Sequence, residues 1–245
     1  MGQAFVPLPM EDPMNSKLLG ASLLSLALVT PLAHAHQAGD FIVRAGAIET
    51  APNEDSGNLK LDGAKVSGTK ATLSNDTQLG LTFAYMLTDH VGLELLAATP
   101  FQHKVGVKGV SSATGVSGLD GKLADIKQLP PTLSLQYYPM EASSKFQPYA
   151  GVGLNYTWFY GEDLTSERKS EGFSNLNLKN SWGWAAQIGA DYMLTDHIMV
   201  NAAVWYVDID TQASVDGPTA LGVGRTKVNV DVDPWVYMVG VGYKF

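Results

Sequence analysis

Side chains that could carry out covalent chemistry or bind a transition metal are scarce in this sequence. The 245 residues include no cysteine, which excludes disulfide frameworks, thiolate metal sites and cysteine nucleophiles. The histidines, at positions 34, 36, 90, 103 and 197, lack any ligand spacing such as His-Glu-x-x-His. Only His103 is expected in a loop outside the turns. No serine and aspartate are placed near it in a way that would form a catalytic group. A lipid-modifying barrel enzyme would need such a group, so we expect no enzyme activity.

Two pairs of aspartates near the C-terminus are the remaining candidate metal ligands. They are Asp208 with Asp210 and Asp231 with Asp233. Oxygen-only ligands of this kind suit Ca²⁺ or Mg²⁺. A plain solvated rim is the favoured interpretation of the four carboxylates, and we expect no cofactor.

The elements that position these residues are predicted from a period-two alternation of large apolar with polar or small residues. In residues 78–87, Leu79, Leu81, Phe83, Tyr85 and Leu87 share one face, and the other face is polar or small. The same alternation runs through residues 146–160, 181–194 and 235–245. These segments are predicted to be β-strands.

Three features indicate that the apolar faces point outwards into lipid rather than into the core of a soluble sandwich. The segments reach about 10 residues or more, enough to cross an outer membrane when tilted. The opposite faces are rich in glycine and small residues, which suits a narrow lumen. The aromatic residues gather in two belts, as in a transmembrane barrel. They are Tyr85, Tyr137, Tyr192, Tyr243 and Phe245 at the lower, periplasmic rim and Tyr156, Trp158, Trp182, Trp184 and Trp235 at the upper rim.

Short and long connections alternate along the chain, as periplasmic turns and extracellular loops do. The short ones are residues 88–90, 139–145 and 195–197, and the long polar ones are about 49–75, 101–127, 161–180 and 216–227. Strands are predicted to begin near Phe41, Thr77, Val91, Leu129, Phe146, Ser181, Ile198 and Val228. The fold is therefore predicted to be all-β, an eight-stranded antiparallel transmembrane β-barrel with short periplasmic turns and long extracellular loops.

Residues 1–35 are predicted to be a signal peptide. An apolar run over residues 18–32 is followed by the small-x-small pattern that a signal peptidase accepts. Glu11 stands where a basic region belongs, which favours a start-site error over residues 1–13. Residues 36–245 then form a single barrel domain in the outer membrane of a Gram-negative bacterium.

Composition narrows the class of partner. The net charge of −8 and the pI near 5.0 argue against nucleic acid. The apolar fraction of 45% is too high for a disordered chain. The expected partners are outer-membrane lipid and lipopolysaccharide, small hydrophobic solutes, and the outer-membrane assembly machinery, which reads a C-terminal aromatic such as Phe245.

Seven ordered blocks cover essentially the whole mature chain and carry a family resemblance. They are TQLGLTFAYML (77–87), GLELLAATPFQHKV (92–105), LPPTLSLQYY (129–138), PYAGVGLNYTWF (148–159), SWG (181–183), AVWYVDIDT (203–211) and DPWVYMVGVGYKF (233–245). Together they resemble the OmpW family of outer-membrane proteins. The resemblance implies an eight-stranded barrel with a hydrophobic channel for passive uptake of small hydrophobic molecules. It does not fix the substrate.

Strand parity places six polar residues on the inner face near the lower rim. They are Arg44, Glu94, Gln136, Asp191, Asn201 and Lys244. Side chains nearly fill an eight-stranded barrel, and an unpaired charge there is very costly, so the charges are expected to pair. We interpret the group as a polar plug at the periplasmic end; ordinary barrel filling without a transport role is the alternative.

Higher in the barrel the same parity turns Leu96, Trp205, Phe159 and Val236 inwards. An apolar upper lumen above a charged plug suits an apolar solute that enters from outside, and it does not suit ions or sugars. Core packing is the alternative for each of the four. The resemblance singles out Leu96 and Trp205 as residues that narrow the channel.

Three prolines predict a weak place in the wall. Pro100 interrupts an alternating pattern over residues 94–107, and Pro130 and Pro131 open the next strand. Proline lacks the N–H that a ladder needs, so missing donors would face one another in one seam. The prolines could instead mark only the strand–loop junction. The resemblance favours a lateral gate into the bilayer.

The leading functional hypothesis is thus a passive channel for small hydrophobic molecules with a lateral exit. A pore for small amino acids or ions is a second transport hypothesis. A structural barrel whose loops bind a phage or a bacteriocin is a third.

Overall fold

The barrel and its extracellular extension are built from β-strands. The computed structural model describes residues 35–53, 55–61, 63–115, 117–218 and 224–245, so the predicted signal peptide lies almost wholly outside the described residues. The strands are β1 (Phe41–Ala51), β2 (Asp55–Ser56), β3 (Lys60–Leu61), β4 (Ala64–Lys65), β5 (Lys70–Leu73), β6 (Asp76–Met86), β7 (Val91–Ala98), β8 (Phe101–Lys108), β9 (Gly121–Leu129), β10 (Thr132–Tyr137), β11 (Phe146–Leu164), β12 (Ser174–Leu178), β13 (Ser181–Met193), β14 (Ile198–Val207), β15 (Asp210–Asp216), β16 (Arg225–Asp231) and β17 (Trp235–Lys244). Two single-turn helices, α1 (Val110–Thr114) and α2 (Ser166–Ser170), lie in the connections. Neither these nor any other described helix is long and apolar enough to cross a membrane.

Eight of these strands close into an antiparallel barrel. The order around the ring is β1, β6, β7, β10, β11, β13, β14, β17 and back to β1. Closure removes the unpaired edges that lipid would not tolerate. The predicted eight-stranded fold is confirmed.

The barrel has its apolar side outwards, as the alternation predicted. Val152 on β11 and Ile188 on β13 are each 66% exposed, and the neighbours on either side of each turn inwards. The two predicted aromatic belts also lie on the outer surface, with Trp182 in the upper belt 74% exposed and Tyr137 in the lower belt 57% exposed. A continuous apolar outer band bounded by aromatic side chains is the surface that a bilayer covers.

Parts of the four long extracellular connections form β-strands, which the sequence did not predict. β5, β8, β9 and the upper half of β11 form one extracellular sheet, and β2, β3, β4, β12, β15 and β16 form a second. The fourth barrel strand therefore begins at Thr132 rather than Leu129, and the eighth begins at Trp235 rather than Val228. Both strands begin directly after a proline, because proline lacks the N–H that a ladder needs. Alternation alone continues past these points and cannot show where a strand leaves the membrane.

The repeated sequence YMLTDH forms the same periplasmic turn twice. At residues 85–90 the hydroxyl of Thr88 accepts hydrogen bonds from the backbone amides of His90 and Val91. The His90 Nδ1 lies 2.8 Å from the Tyr138 carbonyl. At residues 192–197 the His197 Nδ1 lies 2.9 Å from the Lys244 carbonyl. Each histidine thus ties its turn to the end of the neighbouring strand.

Candidate functional site

A buried ion network fills the lower part of the barrel. Arg44 on β1 donates through Nε to Asp191 Oδ1 at 2.9 Å and through Nη1 to Glu94 Oε2 at 3.0 Å. A second bond, from Nη2 to Asp191 Oδ2, makes the arginine–aspartate pair bidentate. All three side chains are at most 1% exposed. One guanidinium in this fork geometry holds two carboxylates that β7 and β13 bring in from opposite sides.

Uncharged groups extend the network. Asn201 donates to Asp191 Oδ1 at 2.8 Å and to the Tyr149 hydroxyl at 3.0 Å. The Tyr138 hydroxyl accepts from Arg44 and donates to Gln136 Oε1 at 2.8 Å. Five of the six predicted plug residues therefore meet in one cluster. Such mutual hydrogen bonding is what makes buried charges tolerable.

Three members of the network were not among the predicted residues. Tyr138 and Tyr149 follow the strand parity already used, so the same signal could have found them. Tyr149 fits because Gly189 faces it across β11 and β13; a Cβ at Gly189 would lie 2.5 Å from the tyrosine ring. His36 precedes β1, so no alternation places it, yet its Nε2 lies 2.9 Å from Asp191 Oδ2 and it is fully buried.

Lys244 lies apart from this network, in contrast to the expected pairing of two cations with two anions. Its Nζ is 2.5 Å from the Ala35 carbonyl and 3.5 Å from Asp40 Oδ2. The register places Ile42, Met193 and Met199 closer to the periplasmic strand ends than Arg44 and Asp191. These three apolar side chains are at most 1% exposed and lie on the periplasmic side of the Arg44 network, at the level of Lys244.

The four predicted upper-lumen residues are all buried and belong to one apolar cluster. Leu96 and Val236 line a small cavity of about 10 Å³ together with Ile48, Phe101 and other residues. Trp205 pairs with Val236 in register, and Phe159 pairs with Gln128 in the extracellular extension. Above them, a second apolar cavity of about 50 Å³ lies between the two extracellular sheets.

The barrel wall has a gap where the three prolines meet. β7 pairs with β10 as far as Leu96 and Thr132, and β8 pairs with β9 only from Phe101 and Gln128 onwards. Residues 97–100 and 129–131 form no ladder pairs with each other between these two points. Strands continue beyond the gap, so the prolines break strands rather than mark where strands become loops. We call this gap the seam.

Residues 97–100 and 129–131 lack ladder pairing only on the sides that face each other. On their other sides both segments are hydrogen-bonded. Towards β6, the Thr99 amide donates to the Leu79 carbonyl at 2.9 Å. Towards β11, the Tyr156 amide donates to the Pro131 carbonyl at 3.1 Å. The side-chain amide of Asn155 donates through Nδ2 to the Pro130 and Pro131 carbonyls and to Thr132 Oγ1, at 2.9–3.3 Å. This side chain holds the proline segment against β11.

A groove of about 280 Å³ covers the seam. Its lining includes the exposed belt residue Trp158, so it lies on the lipid side of the wall. Ala97, Ala98 and Pro130 line this groove and also the 10 Å³ cavity inside. Three small side chains therefore separate the inner cavity from the lipid-facing groove.

The four predicted aspartates lie just above the upper aromatic belt. Carboxylate oxygens of Asp208, Asp210 and Asp233 lie within 4.8 Å of one another, and Asp231 pairs with Asp210 across β15 and β16. Burial raises the pKa of the Asp210 carboxyl, and the facing carboxylates raise it further. The group is a concentration of negative charge at the rim.

Known proteins share this sequence and architecture. The chain is 44% identical to outer membrane protein W of Escherichia coli over 229 residues, covering 94% of this chain and 99% of that protein. The crystal structure of the outer membrane protein OprG from Pseudomonas aeruginosa is 62% identical, covers 86% of this chain and 98% of that one, and superposes with a TM-score of 0.82. Outer membrane protein AlkL of Ectopseudomonas oleovorans is 26% identical over 84% of this chain and 83% of its own length.

The family model for OmpW matches residues 37–245, which is the whole barrel with its extracellular sheets. The family match, the outer-membrane location of the relatives and the lipid-facing apolar band agree. The protein is an outer-membrane β-barrel and belongs to the OmpW family.

Proposed function

We propose that this barrel is a channel for passive uptake of small hydrophobic molecules, which enter between the extracellular sheets and leave sideways through the seam. The observation that carries the proposal is the shared wall of Ala97, Ala98 and Pro130 between the inner cavity and the outer groove. A closed barrel wall is hydrogen-bonded all round, and this seam is where its ladder lapses.

The plug supports a lateral rather than a periplasmic exit. The ion network and the apolar layer below it fill the lower barrel with side chains that are almost fully buried. Breaking such a network for each passing solute would expose unpaired charges in a low-dielectric interior. Leu96, Trp205, Phe159 and Val236 then act as the apolar lining that leads solute to the seam.

Partition into lipid supplies the driving force. An apolar solute gains about 0.8 kcal/mol per CH₂ when it moves from water into a hydrocarbon phase. Exit through the wall delivers the solute directly to that phase. Exit into the periplasm would require it to enter water.

The proposal is tested by uptake into a strain from which the barrel is deleted. Restoring the protein should raise the uptake of decane or toluene and leave glycine uptake unchanged. Restored glycine uptake without decane uptake would favour the small amino acid pore. Loss of sensitivity to a phage or bacteriocin on deletion, with no change in uptake of either solute, would favour the receptor barrel.

We also propose that a signal peptidase removes residues 1–35 and that the assembly machinery reads the C-terminus. Phe245 is 67% exposed at the lower rim, and its amide donates to the Phe41 carbonyl at 2.9 Å. Mass spectrometry of the outer-membrane protein should give His36 as its first residue. A first residue before position 30 would contradict the cleavage.

A further inference from the structure

Two buried polar residues that line the small cavity behind the seam each have an oxygen atom without a partner. Thr50 and Gln128 line this cavity, and each is 1% exposed. Neither Thr50 Oγ1 nor Gln128 Oε1 has a hydrogen-bond partner among the described residues. Buried polar atoms are nearly always hydrogen-bonded, so two unpartnered oxygen atoms at one apolar cavity leave hydrogen-bonding capacity for a ligand group.

The remaining lining makes this pair stand out. Around the two polar side chains the cavity is walled by Ile48, Leu96, Phe101 and Val236. The Thr132 hydroxyl also lines it, but it donates to the Pro130 carbonyl at 3.2 Å and accepts from Asn155. Thr50 and Gln128 are therefore the lining groups whose oxygen atoms remain available to a ligand.

The chemistry of the two atoms selects a hydroxyl group. A threonine hydroxyl can donate, and an amide oxygen accepts. A ligand hydroxyl matches both atoms in chemistry, because it can accept from the Thr50 hydroxyl and can donate to Gln128 Oε1. A hydrocarbon satisfies neither atom, and a charged group would be desolvated without a counter-ion.

The size of the cavity limits what enters it. About 10 Å³ is the space of roughly one water-sized group, so the cavity takes a hydroxyl and not a whole solute. The body of the solute then lies across Ala97, Ala98 and Pro130, in the 280 Å³ groove on the lipid side. Trp158 at this groove marks the height of the membrane interface, where the polar end of an amphiphile rests.

We propose that Thr50 and Gln128 form a hydroxyl-binding site at the inner side of the seam, and that the preferred solutes are small neutral amphiphiles, such as alcohols with an apolar tail, rather than plain hydrocarbons. This inference rests on the proposed uptake function. The tail leaves through the seam first, and the site holds the hydroxyl until the tail is in lipid.

The test compares 1-decanol with decane in the deletion strain, restored with the wild-type protein, Thr50→Val or Gln128→Leu. Each substitution keeps the approximate shape and removes one hydrogen-bonding group. We expect 1-decanol uptake to fall about threefold to tenfold, the range for one lost hydrogen bond, with decane uptake unchanged. Thr69→Val is the matched control, since Thr69 is buried in the extracellular part and its hydroxyl donates to the Val66 carbonyl at 2.7 Å.

The outcomes separate the two proposals. If the barrel raises the uptake of neither solute, the uptake function itself is wrong. If it raises both and the variants change the two solutes equally, or leave 1-decanol unchanged, the hydroxyl site is wrong and the cavity holds only water. Decane uptake in each variant, with the shift of the folded barrel on unheated gels, shows that the variant has folded.

Discussion

At the scale of single residues, the arrangement around Arg44 decides whether the lower barrel is closed. Asp191 accepts hydrogen bonds from Arg44 and Asn201, and it also contacts His36 Nε2. It is therefore the carboxylate on which the network depends most. We expect Asp191→Asn to destabilise the folded barrel by about 3–5 kcal/mol, because Arg44 would lose its main counter-charge while buried. Denaturant unfolding in lipid vesicles measures this.

The matched control for that substitution is Asp163→Asn in the extracellular extension. Asp163 forms an ion pair with Lys169, and both side chains are more than half exposed. Exposed pairs contribute little to stability, so this variant should unfold like the wild type. Equal loss of stability in the two variants would contradict the central role of the buried network.

Asn155 makes a second prediction at this scale. Its amide group holds the Pro130 and Pro131 carbonyls on one side of the seam. Asn155→Leu keeps a similar volume and removes these bonds, so the seam should open more readily and decane uptake should rise. Asn229→Leu, on an exposed asparagine of β16, should leave uptake unchanged. Slower uptake in Asn155→Leu would show that the bonds do not hold the seam shut.

Sequence parity predicted some of these residues and could not have predicted others. Arg44, Glu94 and Asp191 are polar residues at inward positions of apolar strands, so alternation finds them. The alternation over residues 146–160 also predicts that Asn155 faces the lumen, but its partners are backbone carbonyls 25 and 24 residues away in the sequence, which no single-sequence pattern contains. His36 lies outside every strand and reaches Asp191 only because the chain folds back into the barrel.

At the scale of elements, the seam exists because the ladder between β7 and β10 and the ladder between β8 and β9 are interrupted at the same height of the wall. Replacing Pro100 and Pro130 by alanine restores two N–H donors to this gap. We expect the double variant to take up hydrophobic compounds more slowly and to be slightly more stable. Hydrogen exchange at the new amides would show whether the seam has closed. Uptake at the unaltered rate with a closed seam would exclude the lateral route.

Two controls accompany the proline variants. Pro139→Ala changes a proline in a periplasmic turn, outside the seam, and should not alter uptake. Leu96→Ala shortens a side chain of the inner cavity and should widen the lumen without slowing access.

The strands themselves were more predictable than their extensions. Six of the eight barrel strands begin at, or within one residue of, the position that the alternation predicted. The second extracellular sheet was not predicted, because its short polar strands pair across long distances, as β12 does with β15 and β16 with β2. Composition made those segments look like loops, and register between distant segments is not written in local pattern.

At the scale of the whole molecule, the barrel depends on a bilayer around its apolar band. Ile188 is 66% exposed at mid-height, so Ile188→Arg should destabilise the barrel in lipid by about 2–4 kcal/mol. Leu194→Arg, near the lower end of the same wall, should cost about 0–1 kcal/mol because the charge reaches the interface. Equal costs at both heights would contradict the membrane position assigned here.

Exit of solute through the seam is tested most directly by a reversible bridge between the two sides of the seam. The chain contains no cysteine, so Ala98→Cys and Leu129→Cys introduce the only two thiols, both at the outer groove. A short, reducible bifunctional thiol reagent would join the two sides of the seam. We predict that decane uptake falls to the level of the deletion strain when the bridge is present and returns when the bridge is reduced. Full uptake through a barrel whose bridge is verified by mass spectrometry would contradict the lateral route.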